Sequence, residues 1–79
     1  MMTQAELIAQ LQSYGAGVSP SLINQTIGLV NILFAAGTQN DTSVEITEAP
    51  MPGVNPQSIT IKWYAPGVVL TTKVESRAE

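Results

Sequence analysis

The chain has 79 residues, a formal net charge of −3, and neither cysteine nor histidine. That composition excludes disulfides, thiolate metal sites and imidazole acid–base chemistry. With Lys62, Lys73 and Arg77 as the only cations, it also leaves no electrostatic footprint for nucleic acid or an anionic membrane.

Charged residues make up 11% of the chain against a norm of roughly 25%, and apolar residues at 44% are ordinary, so Thr, Ser, Asn, Gln and Gly replace the missing charge. Such a chain is too hydrophobic and too weakly charged for disorder. Its length allows one small domain, residues 1–79, whose stability is marginal without a staple. Oligomerisation is the staple the composition still permits. The start, Met1-Met2-Thr3-Gln4, lacks the basic region and apolar core of a signal peptide. The most apolar run, Ile27 to Ala36, is interrupted by Asn31 and falls short of the roughly 20 residues a bilayer demands. The expectation is a soluble chain without membrane insertion, intracellular or part of an assembled particle. Without a secretory route, the glycosylation-like triplets at Asn24 and Asn40 carry no weight.

Thr3 with Glu6 three residues on forms a capping box, and Leu7, Ile8, Leu11 and Tyr14 gather on one flank, so a helix is expected over about 3–14. Gly15-Ala16-Gly17 ends it. These glycines follow a helix rather than a strand and lack a third partner, which rules against a dinucleotide fingerprint. Ser19 as N-cap, Pro20 at the first helical position and Gly37 as the left-handed stop define a second helix over 20–36. It contains no charged residue. Leu22, Ile23, Thr26, Ile27, Leu29, Val30, Leu33, Phe34 and Ala36 fill about half its circumference at 100° per residue. The remaining stripe of Asn24, Gly28, Asn31 and Ala35 is small, with Ile32 at its margin. That stripe and Ile32 are the expected protein interface, a close helix-packing seam.

Thr38 to Thr42 reads as a polar loop, and Val44 and Ile46 alternate with Glu45 and Thr47 in a strand over about 43–48. Residues 49–57 carry Pro50, Pro52, Gly53 and Pro56, which exclude helix and central strand and predict a stiff connection. The same segment could dock into a groove. Strands are expected over 58–64 and 68–75 around a Pro66-Gly67 turn. That turn sets Trp63 opposite Leu70, Ile61 opposite Thr72 and Ile59 opposite Val74, making one face of the hairpin apolar; a slip by one residue would destroy it. The other face holds Thr60, Lys62, Tyr64, Val69, Thr71, Lys73, Glu75 and Arg77. Lys62, Tyr64 and Lys73 are the second interface candidates.

Serine or threonine nucleophiles would need a base, and only Lys62 or Lys73 could serve; on an outward strand face neither has the burial that role requires. Asp41, Glu45 and Glu48, with Asn40 and Ser43, could hold a hard cation, but their spacing matches no loop of known geometry. No glycine-rich strand-to-helix loop exists for a phosphate. The expectation is therefore no catalytic residues, no metal and no cofactor. The fold class expected is α+β, an N-terminal αα-hairpin packed on a three-stranded antiparallel meander. The function expected is a non-enzymatic structural or assembly protein that forms a homo-oligomer or docks into a larger assembly; by composition a virion component fits. The alternative is a monomeric binding module or inhibitor that uses the outward hairpin face or the Pro-rich loop.

Overall fold

The computed structural model describes residues 3–15, 17–36, 42–54 and 56–76. The Gly37 stop, the loop from Thr38 to Asp41, and Arg77 lie outside the described residues. Two helices, α1 (Gln4–Gln12) and α2 (Pro20–Ala36), precede three strands, β1 (Ser43–Glu48), β2 (Gln57–Ala65) and β3 (Val68–Ser76). The strands form one antiparallel sheet in the order β1-β2-β3, so the fold is α+β with both helices ahead of the meander.

The capping box forms: the Glu6 N–H donates to Thr3 Oγ1 at 3.1 Å and the Thr3 N–H to Glu6 Oε1 at 2.9 Å. Helix α1 ends at Gln12, short of Tyr14, because the next N–H groups bond three residues back as well as four and tighten the last turn. In α2 the Leu22 N–H donates to Ser19 Oγ at 3.4 Å, as expected of an N-cap. Its buried stripe runs through Leu22, Thr26 and Val30, and the Thr26 hydroxyl enters the core by donating to the Leu22 carbonyl at 2.8 Å.

The register between β2 and β3 sets Trp63 against Leu70, Ile61 against Thr72 and Ile59 against Val74, closed by a two-residue turn with Gly67 at φ 76°. That positive φ at the second turn position is the type II geometry the Pro-Gly pair favours. β2 begins one residue earlier and ends one later than the sequence pattern suggests, so Gln57 belongs to the strand rather than to the Pro-rich connection. Strand β1 carries a bulge: Ile46 pairs with Ile61 and Glu48 with Thr60, leaving Thr47 as the extra residue.

Leu7, Leu11, Val18, Leu22, Val30, Val44, Ile59, Ile61 and Trp63 form one core between the helices and one sheet face. α2 lies over β2 and β3, while α1 packs on α2 and over β1. At its start, the Ser19 N–H that precedes α2 donates to Gln57 at the start of β2. Towards the hairpin tip the cover of the sheet thins. Leu70, expected within the covered apolar face, is 47% exposed, while Trp63 opposite it is 9% exposed. The indole N–H of Trp63 has no acceptor, the one buried side-chain donor so placed among the described residues.

Candidate interaction surfaces

No element covers the outer sheet face among the described residues, and Lys62, Tyr64 and Lys73 lie there together. The Tyr64 hydroxyl donates to Glu45 Oε1 at 2.8 Å, and Lys62 Nζ sits 5.5 Å from the Tyr64 ring centroid, within cation–π range. The hydrogen bond to Glu45 holds the phenol in its neutral form and pushes its pKa above the ordinary value, with smaller contributions from desolvation and from the negative charge of Glu45. Lys73 pairs with Thr60 on the next strand, diagonal to Lys62. Glu45 joins this cluster only through the β1–β2 register, which sets it beside Lys62, so nothing local in the sequence marks it.

Two of the carboxylates considered for a hard cation are engaged elsewhere. Glu45 accepts from Tyr64, and Glu48 Oε1 accepts from the Thr60 hydroxyl at 3.2 Å. Asn40 and Asp41 lie outside the described residues. Among the described residues no three of His, Cys, Asp and Glu cluster as a metal site would require.

The stripe on α2 faces outward: Asn24, Gly28, Asn31, Ile32 and Ala35 are all exposed, Ile32 at 64%. A Cβ added to Gly28 would meet nothing within 4 Å. Gln4 Nε2 donates to Asn31 Oδ1 at 2.6 Å, which fixes the flank of α2 on which α1 lies. Ala36, counted with the apolar half of the helix, is exposed too. The face turned to solvent is thus broader than the four-residue stripe and still carries no charge.

The Pro-rich segment is anchored to its own domain. The Gly53 N–H donates to the Gly17 carbonyl at 3.0 Å. The buried Gln57 carboxamide accepts from the Ser19 N–H at 2.7 Å and donates to the carbonyls of Gly17 and Met51. One amide thereby ties the turn between the helices to the connection between β1 and β2. Pro50 is buried, whereas Met51, Pro52, Val54 and Pro56 are exposed. Two shallow depressions flank Val54, about 220 Å³ beside Met51 and Pro56 and about 280 Å³ beside Val18 and Gly53. A glutamine latch has no sequence signature, because its partners lie up to forty positions away.

At the hairpin tip Val68, Val69 and Leu70 are exposed in succession, an apolar run on an edge strand. None of the described helices is long and apolar enough to cross a membrane. Comparison with protein-family models, with curated proteins and with solved structures finds no match to the chain.

Proposed function

We propose that this protein is a small non-enzymatic structural subunit that self-associates, or docks into a larger protein assembly, through α2. The observation that carries the reading is the solvent side of that helix. Over the 17 residues of α2 there is no charge, and Ile32 stands 64% exposed beside the small residues Gly28 and Ala35. A helix facing bulk water normally carries a broad charged face, and small residues in its place let a second backbone approach closely. Asn24 and Asn31 supply polar groups at the margins of the seam.

Sedimentation and light scattering across a wide concentration range test this. Mass should rise with concentration, and Gly28→Leu, which meets open space in the isolated fold, should lower that mass while leaving the β-sheet circular dichroism intact. A single folded monomer at the highest attainable concentration refutes the reading.

The cluster of Lys62, Tyr64 and Glu45 favours a second reading, a monomeric binding module that presents the outer sheet face, with Lys73 beside it, to another protein. That reading predicts a monomer whose binding is lost on Lys62→Glu and Tyr64→Ala.

A further inference from the structure

We infer that a second copy of this chain docks along the free edge of β3, the two β3 strands running antiparallel about a two-fold axis at Thr72 and joining two sheets into one continuous sheet. This deepens the self-association reading and rests on it.

Among the described residues no element pairs with the outer edge of β3, and little protects it. β3 spans the nine residues Val68–Ser76 at one end of the sheet, and its register with β2 is unbroken. It has no proline, no bulge, and no charge on its helix-facing side, where Val68, Leu70, Thr72 and Val74 alternate with the outward Val69, Thr71, Lys73 and Glu75. Of the protections natural edge strands usually carry, β3 has only the outward charges of Lys73 and Glu75. The opposite edge, β1, has the bulge at Thr47 and is partly overlaid by α1.

Hairpin geometry decides which backbone groups are available. Ala65 and Val68 flank the two-residue turn and form a hydrogen-bonded pair, after which bonded and non-bonded pairs alternate. Leu70, Thr72 and Val74 therefore bond inward to β2, and Val69, Thr71, Lys73 and Glu75 turn their N–H and C=O groups to the free edge.

Placing the axis at Thr72 pairs the whole strand with its copy. Val69 then meets Glu75 of the second copy and Thr71 meets Lys73, about eight hydrogen bonds in all. On the helix side Leu70 lies against Val74 and Thr72 against Thr72, so the half-exposed Leu70 gains an apolar neighbour. No like charges stand directly opposite. Moving the axis to Lys73 would set Lys73 against itself, which disfavours that register. Moving it to Thr71 would shorten the ladder.

The helix layer joins the contact. Gln4 marks the Asn31 flank of α2 as the α1 side, so Ile32, roughly 100° away around the helix axis, and Leu29, roughly 160° away in the same sense, lie on the flank turned towards β3. The contact is roughly 30 Å long and one strand plus one helix deep, roughly 15 Å, or about 900 Å² counting both copies. That lies at the low end for specific complexes, so the dimer should be weak and concentration-dependent.

The chain has no cysteine, so Thr72→Cys introduces a single thiol at the axis. Cα atoms of a non-hydrogen-bonded antiparallel pair lie about 4.5 Å apart, within the range of a disulfide. On mild oxidation of a concentrated solution Thr72→Cys should become a covalent dimer, whereas Gln12→Cys, at the exposed end of α1, should stay monomeric. Thr71→Pro removes an outward N–H and should weaken association about tenfold or more without loss of the β-sheet signal. In the unmodified chain, the amides of Val69, Thr71, Lys73 and Glu75 should exchange more slowly at high concentration than at low. If the wild type associates but Thr72→Cys cross-links no faster than Gln12→Cys and those four amides exchange alike at both concentrations, strand pairing is refuted while self-association through α2 stands. A wild type that stays monomeric refutes both.

Discussion

Replacing Gln57 by leucine tests whether one buried amide holds the two loops of this fold together. The side chain is 5% exposed and makes three hydrogen bonds, accepting from Ser19 and donating to the carbonyls of Gly17 and Met51. Leucine is close in volume, so cavity formation is a small part of the change. Each bond contributes about 1 kcal/mol net, and the added apolar burial returns about 1 kcal/mol, so a loss of about 2 kcal/mol is expected. A 79-residue domain has roughly 4–12 kcal/mol to lose, and each kcal/mol moves the midpoint by roughly 4–8 °C, so Tm should fall by roughly 8–16 °C. Trp63, the single tryptophan and nearly buried, reports the transition by fluorescence alongside far-UV circular dichroism. Gln57→Glu separates hydrogen bonding from packing. Its carboxylate would face two carbonyl oxygens, and that setting together with burial would hold its pKa above the ordinary value of about 4.3. A raised folded-state pKa places the favourable contribution at low pH, lost as pH rises through the folded value. The gap between Gln57→Glu and wild type should therefore narrow from pH 7 towards pH 4. A Gln57→Leu midpoint within about 2 °C of wild type would refute the latch, since that shift is below what a single lost bond produces.

Gly17 has φ +89°, and a Cβ there would sit 2.9 Å from Pro52 Cβ, so Gly17→Ala should cost about 1–3 kcal/mol in chemical denaturation. Gly28→Ala in the open middle of α2 should instead raise monomer stability by about 0.5–1 kcal/mol. Thr3→Ala should cost about 1 kcal/mol through loss of the capping box. Glu6, whose pKa is lowered chiefly by the backbone hydrogen bond from Thr3, supports α1 above its unfolded pKa and should lose that support as pH falls through the folded value, visible as declining helical signal. Ultraviolet titration should show Tyr64 ionising above the ordinary phenol range, with Glu45→Gln moving it back down. The hydrogen bond to Glu45 contributes below the unfolded pKa of the phenol and is lost as pH rises through the folded one.

Local signals carry the order and kind of every element. The Thr3–Glu6 box, the Ser19-Pro20 start and the Pro66-Gly67 turn each act within a few residues, so their chemistry can be read from the sequence. The Trp63–Leu70 register is equally legible, because period-two alternation together with a two-residue turn leaves one pairing that keeps the apolar face intact. The interaction surfaces are less so. The stripe from Asn24 to Ala35 can be identified on a helical wheel, but its outward direction depends on where α1 and the sheet lie.

The sequence by itself determined the α+β order, the hairpin register and the charge-free character of α2, since all three arise from propensity, capping and periodicity between near neighbours. Only the tertiary structure decided that Gln57 is a buried latch, that Glu45 belongs with Tyr64, that Thr47 is a bulge, and that Leu70 stands half in water at an open edge. These depend on contacts between residues 12 to 40 positions apart and on where a short helix layer stops covering a longer sheet, quantities that no local pattern encodes.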